Sequence, residues 1–176
     1  MTVPNRGEGF EEFVAGHAAS LLRLAYLLTG DRGHAEDLLQ DALERAYRHW
    51  PRVIAADRPD AYVRRVLVHA VTDRFRKRRF REVPLTSYTD RALTDASRDV
   101  DLRDSLVRAL RALPVRQRTV IVLRHCFDLS ETETAAEVGC SVGTVKSQTS
   151  RGLARLRELL PELQPVDAAS VLRSTP

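Results

Sequence analysis

Apolar residues recur at helical spacing along almost the whole chain, and no stretch shows the alternation typical of a strand. Three helices are predicted in the first half. The first ends at Thr29-Gly30, the second ends at Pro51, and the third has Pro59 in its first turn. The third helix runs directly into the sequence RFRKRRFR. Because their apolar stripes can share one core, these helices predict a first domain at residues 8–82.

The helical period is lost over residues 83–100, which are rich in serine, threonine and aspartate and are typical of a linker. It resumes at Leu102 and continues through a second domain at residues 101–160, followed by a short tail at 161–176. The predicted fold class is therefore all-α. It has two small helical domains, a three- to four-helix bundle and a helix-turn-helix, joined by a flexible linker.

The helix-turn-helix prediction depends on a short stretch of the second domain. Ser130 and Glu133 form a capping-box pattern at the start of a short helix, and Ser141 caps the helix that follows. Gly139 suits the turn between them, while Ala135 and Val145 have the size and spacing to pack at the crossing. A plain helical hairpin is the alternative.

One face of the last helix carries groups that can contact nucleic acid. Its apolar residues are predicted to point inward, which leaves four polar residues on the outward face: Lys146, Ser147, Ser150 and Arg151. Such a helix can lie in a major groove, where arginine and lysine bind guanine and serine contacts bases or phosphates.

The chain has 176 residues, of which 43% are hydrophobic, so wholesale disorder is excluded. No apolar run approaches the ~20 residues that span a bilayer, and the first residues do not resemble a secretory signal. Two cysteines cannot form a multi-disulfide framework. A cytoplasmic protein with no membrane association is therefore expected.

The formal net charge is only +4, but the charges are unevenly distributed. Residues 8–49 carry a net charge of −4, whereas residues 62–82 carry +6 and residues 142–157 carry four basic residues and no acidic one. The density of charge at 62–82 exceeds that of an ordinary solvated helix face and indicates phosphate binding.

Motifs for catalysis or metal binding are missing from the sequence. It contains no phosphate-binding glycine loop, no nucleophile elbow and no zinc spacing, and its five histidines are scattered. No enzyme activity, cofactor or metal is expected.

Three segments together resemble the extracytoplasmic-function, or group IV, sigma factors of bacterial RNA polymerase, in particular the actinobacterial SigE-like branch. Two of them are similar to region 2 of that family, and the third is similar to region 4. They are LLTGDRGHAEDLLQDALERAYRHW, DAYVRRVLVHAVTDRFRKRR and ALPVRQRTVIVLRHCFDLSETETAAEVGCSVGTVKSQTSRGLARLRELL. The resemblance implies a subunit that directs core polymerase to promoters, opens the −10 element and recognises the −35 element.

The same resemblance implies roles for individual residues. Asp37, Gln40 and Asp41 correspond to the face that docks on the β′ clamp helices, and region 4 is expected to meet the β flap. The residues expected to hold and open the −10 element are Arg64, Arg65, Arg74, Arg76, Lys77 and Arg78. Those expected at the −35 element are Arg124, Lys146, Ser147, Ser150 and Arg151.

The loop at 51–60 corresponds to the place where the family holds a flipped base. The chain departs from the family pattern at His69, Gln148 and Gly152, where asparagine, a basic residue and alanine are more usual. These departures concern the choice of DNA sequence and leave the expected fold unchanged. The implied partners are core RNA polymerase and promoter DNA, and an anti-sigma factor is a further candidate partner.

Two other functions fit a basic helix-turn-helix protein. One is a stand-alone regulator with a ligand- or partner-binding first half, and the other is a non-specific nucleic-acid binder acting through RFRKRRFR. The polar face on the second helix argues for a polymerase subunit, because neither alternative requires an acidic docking surface beside a basic helix.

Overall fold

The computed structural model describes residues 9–80 and 98–161, and in these ranges the chain folds into helices without any strand. The first half contains α1 (Phe10–Thr29), α2 (Arg32–Arg48), α3 (Trp50–Ile54) and α4 (Pro59–Phe80). The second half contains α5 (Arg98–Ala112), α6 (Val115–Ile121), α7 (Glu131–Val138) and α8 (Val142–Leu159). A π-helical turn, Val122–Cys126, continues α6. The predicted all-α class is confirmed.

The helix ends of the first half follow local signals, with one correction. Gly30 ends α1 in the left-handed conformation, at φ 66°, as predicted for a glycine C-cap. The prediction that the second helix continues to Pro51 is wrong, because α2 ends at Arg48 and a separate helix begins at Trp50. Proline suits that position, since the first turn of a helix has no use for its missing N–H.

The predicted linker falls mainly on residues that lie outside the described ranges. Its last residues do not belong to a loop, because α5 already begins at Arg98. The predicted tail lies outside the described residues from position 162 onward.

A single hydrophobic cluster extends through both halves. It includes Leu24 and Leu67 from the first half and Leu106, Leu110 and Leu123 from the second, all of them fully buried. Helix α4 packs against α6 and α7, and α1 packs against α5 and α6. The two halves therefore share a core in addition to their internal packing.

Candidate functional site

The helix-turn-helix is built as the sequence predicts. The Ser130 hydroxyl accepts from the Glu133 N–H at 3.1 Å, and the Glu133 carboxylate accepts from the Ser130 N–H at 2.8 Å, which completes a capping box. Gly139 forms the turn at φ 73°. A small core of Val120, Ala135 and Val145 then fixes α8 across α6 and α7.

The outward face of α8 carries the four polar residues predicted to contact the −35 element. Lys146, Ser147, Ser150 and Arg151 are all exposed, while Val145 is fully buried on the opposite side. The Lys146 ammonium lies 3.6 Å from a carboxylate oxygen of Glu131 on α7. This face can therefore receive nucleic acid without any change in the fold of α8.

Arg124, also predicted at the −35 element, lies in a different setting. It is half-buried in the π-helical turn, and its guanidinium donates a hydrogen bond to the backbone carbonyl of Leu129. This contact supports the loop that leads into α7.

Polar residues of α2 form a second exposed surface. Asp37, Gln40 and Asp41 are all solvent-exposed, as predicted for a docking face. Beside them lies an open cleft of about 410 Å³ between α1 and α2. Its apolar lining consists of Phe10, Leu22, Leu39, Leu43 and Tyr47, and its rim of Glu36, Gln40 and Glu44. This surface therefore has carboxylate and amide side chains beside an accessible apolar cleft.

The residues predicted to contact the −10 element are divided by the structure into three sets. Arg65 and Arg74 are exposed on α4. The side chains of Arg76, Lys77 and Arg78 lie outside the described residues, although α4 continues through these positions. Arg64 is buried, with 8% of its surface exposed.

Arg64 lies in a carboxylate pocket between the two halves of the chain. Its Nε is 2.8 Å from both carboxylate oxygens of Glu137, and its Nη2 is 2.7 Å from Oε1 of the same residue. Its Nη1 is 3.1 Å from Oδ2 of Asp60. Burial alone would lower the pKa of Arg64, but Glu137 and Asp60 outweigh that effect and raise it above its ordinary value.

A second cleft, of about 340 Å³, lies where α3 meets the start of α4. It is lined by His49, Arg52, Val53, Ala56 and Tyr62. Arg52, Val53 and Ala56 belong to residues 51–60, the loop predicted to hold a base, but residues 51–54 form part of helix α3 and only the residues between α3 and α4 are a loop. Trp50 does not line it, because that ring is buried against Phe10 and Phe13 at centroid distances of 5.1 and 5.2 Å.

Several contacts between the halves had no signal in the sequence. Arg118 of α6 is buried and donates to the carbonyl of Leu28 at 2.7 Å, and Arg111 donates to the carbonyl of Gly30 at 3.4 Å. These cations cover the carbonyl end of α1, which has no basic residue in its own last turn. Burial, together with the charge of Arg111, lowers the pKa of Arg118 to about 10.

Within residues 9–80 and 98–161, no cluster of three or more histidine, cysteine, aspartate or glutamate side chains could hold a metal ion. In the same part of the chain, no helix combines the length and the apolar character needed to cross a membrane.

Comparison with known proteins matches both halves of the chain. Residues 13–81 match the family described as Sigma-70 region 2, and residues 103–156 match Sigma-70, region 4. The fold is similar to that of the sigma factor RpoE from Bartonella quintana, solved in complex with the anti-sigma factor NepR. That similarity has a TM-score of 0.74 at 27% identity and covers 89% of this chain and 99% of the other.

Curated relatives are similar over most of their length. The RNA polymerase sigma-E factor of Streptomyces avermitilis is 42% identical over 164 residues, which are 93% of this chain and 91% of the relative. The ECF RNA polymerase sigma factor SigM of Mycobacterium tuberculosis is 33% identical over 86% of this chain and 76% of the relative. The chain therefore belongs to the sigma-70 family of RNA polymerase sigma factors, within its extracytoplasmic-function group.

Proposed function

We propose that this sigma factor docks on core RNA polymerase through α2 and brings the enzyme to promoters that it reads through α4 and α8. It acts in the cytoplasm as a non-catalytic initiation subunit. The observation that carries the proposal is the surface of α2, where Asp37, Gln40 and Asp41 are exposed beside the apolar cleft. An apolar centre with a polar rim is the usual anatomy of a protein interface.

The apolar cleft and the polar residues beside it have separate roles. The apolar side chains of the cleft can take up a hydrophobic side chain from the β′ clamp helices, and the carboxylates beside it attract a basic partner. A stand-alone regulator would need neither, so this surface favours a polymerase subunit over that alternative.

The DNA contacts are assigned to the other exposed faces. Lys146, Ser147, Ser150 and Arg151 of α8 lie in the major groove of the −35 element, with region 4 held on the β flap. Arg65 and Arg74 hold the −10 strand together with Arg76, Lys77 and Arg78 farther along α4. The cleft beside Tyr62 is the candidate pocket for an unstacked base, since aromatic stacking stabilises such a base by ~1–3 kcal/mol.

Two further contacts complete the proposal. Arg64 contacts the −10 strand together with the other α4 residues once it is no longer paired with Glu137 and Asp60. Arg124 supports the −35-binding face of α8 through the loop that precedes α7. The complex between RpoE and NepR supports an anti-sigma factor as a further partner of this chain.

The docking assignment is tested by Asp37→Ala with Gln40→Ala. Because both side chains are exposed, the free energy of unfolding should change by no more than ~0.5 kcal/mol. Affinity for core polymerase should fall about tenfold to a hundredfold, since two polar anchors are lost from the interface. Fluorescence titration with core polymerase measures the affinity, and transcription should fall at every promoter served.

The matched control is Glu12→Ala with Glu158→Ala, which also removes two exposed polar groups but leaves α2 intact. This control should bind polymerase like the wild type. Wild-type affinity of a folded Asp37/Gln40 variant would overturn the docking assignment.

A further inference from the structure

Helix α7 lies along α4, and the contacts follow the same order on both helices. Arg58, just before α4, is 2.7 Å from Glu133 at the start of α7. Arg64, six residues later, is 2.7 Å from Glu137, which follows Glu133 by one helical turn. His69 Nε2 then lies 3.9 Å from the position that a β-carbon at Gly139 would take. The two helices therefore run side by side in the same direction over this stretch.

The charges of the two helices are complementary. Helix α7 has the sequence ETETAAEV, with three glutamates and no basic residue. Glu133 and Glu137 pair with arginines beside the −10 surface, and Glu131 lies 3.6 Å from Lys146 of the −35 surface. One short acidic helix thus holds cations from both candidate DNA surfaces.

Glu137 occupies the position on Arg64 that a phosphate would take. The fork of an arginine guanidinium matches the oxygens of a carboxylate and of a phosphate in the same geometry. Every nitrogen of the Arg64 guanidinium already has a carboxylate oxygen within 3.1 Å. Arg64 therefore cannot bind a DNA strand while α7 remains in place.

Resting on the DNA role assigned to α4 above, we propose that α7 is a built-in cover for the part of the −10-binding face that contains Arg64, and that it keeps this part closed in the free sigma factor. The buried pair of Arg64 with Glu137 is the latch. Binding to polymerase separates α7 from α4, and the promoter strand then replaces Glu137 on Arg64.

A buried ion pair suits this role better than apolar packing. Two buried charges contribute little net stability, yet removal of one partner is costly because the other is left buried without compensation. The pair therefore fixes one position of α7 on α4 without adding much stability. A phosphate can replace Glu137 because it offers the Arg64 guanidinium equivalent oxygen acceptors.

The first experiment measures the exposure of Arg64 without using DNA. The free full-length protein is treated with phenylglyoxal, and modification of Arg64 and of its exposed neighbour Arg65 is followed by mass spectrometry. In the wild type, Arg64 should react about tenfold or more slowly than Arg65, because it must wait for local opening. Glu137→Ala should largely remove this difference.

The second experiment measures binding of a single-stranded oligonucleotide that carries the −10 element of a promoter transcribed by the holoenzyme. Apparent affinity is proportional to the fraction of molecules in the competent state. Loss of one partner of a buried pair shifts such an equilibrium by about a hundredfold or more. Glu137→Ala should therefore raise the affinity of the free protein about tenfold to a hundredfold.

Glu158→Ala, which removes an exposed glutamate on α8, is the control and should change neither measurement. Glu137→Gln keeps the side-chain volume and gives the same comparison if the alanine variant does not fold. Equal reactivity of Arg64 and Arg65 in the wild type would overturn the proposal, and so would unchanged oligonucleotide affinity in a folded Glu137 variant. A holoenzyme without −10 selectivity would instead contradict the DNA role of α4.

Discussion

Arg151 of α8 is proposed to contact one base of the −35 element. Its side chain is exposed on the same face of α8 as Lys146. Arg151→Ala should weaken transcription from a matched −35 promoter by ~1–3 kcal/mol, which is the value of one good base contact. In vitro transcription on promoters with a matched and an altered −35 element measures this loss.

The appropriate control for Arg151 is Arg155, one turn farther along α8, where the guanidinium is 2.7 Å from Glu158. Arg155→Ala should leave the preference between the two promoters unchanged. Equal activity of Arg151→Ala and wild type on the matched promoter would contradict the assignment.

Gly152 is buried on α8 where that helix packs closely against α6. A β-carbon there would lie 2.4 Å from Cδ1 of Ile121 and 3.3 Å from Cβ of Gln117. Alanine favours a helix over glycine by ~1 kcal/mol, but overpacking of a buried site costs ~1–3 kcal/mol. Gly152→Ala should therefore lower the free energy of unfolding by about 1 kcal/mol, as measured with urea.

Ile121→Val tests whether crowding at Ile121 causes this loss of stability, because it removes the Cδ1 atom that the new β-carbon would contact. In that background Gly152→Ala should be neutral or stabilising. An equal effect of Gly152→Ala in both backgrounds would show that crowding at Ile121 is not the reason.

The start of α7 combines a helix cap with a contact between the halves. Hydrogen bonds from the Ser130 hydroxyl and backbone N–H, together with Arg58, lower the pKa of Glu133 to about 2. A carboxyl whose pKa is lowered by folding stabilises the folded state above its unfolded pKa, near 4.5. That stabilisation is lost as the pH falls through about 2.

The expected result is a pH-dependent difference between wild type and Glu133→Gln. The wild type should be the more stable at pH 6, and the difference should shrink steadily from about pH 5 toward pH 2.5. Urea unfolding of both proteins across this range measures it, and other carboxylates cancel in the comparison. A difference that does not change with pH would show that the charge of Glu133 has no part in the cap.

Across the chain as a whole, the features that could be predicted from the sequence are those with local causes. Periodicity located the main helices, and Ser130, Gly139 and Ser141 marked the helix-turn-helix because caps and turns depend on neighbouring residues. The exposed face of α8 followed from the same periodicity, whereas the face of α2 was implied by the resemblance to the family. Their roles came from the resemblance to the family and stay predictions until the variants are tested.

The arrangement of the two halves could not be predicted in this way. Arg64 and Glu137 are 73 positions apart, and Arg118 is 90 positions from Leu28. Neither pair belongs to a pattern with a fixed spacing. A basic residue on a helix is usually solvated, so nothing near Arg64 indicated that a carboxylate from the other half would bury it.

The contact between Arg118 and Leu28 also has a consequence for protein synthesis. Helix α1 leaves the ribosome long before the residue that covers its carbonyl end exists. At about 5–20 residues per second, the 90 intervening positions take ~5–20 s to translate. During that time the Leu28 carbonyl lacks its guanidinium donor, and the apolar contacts of α1 with α5 and α6 are absent. The nascent chain therefore reaches its final packing only after most of the second half has been made.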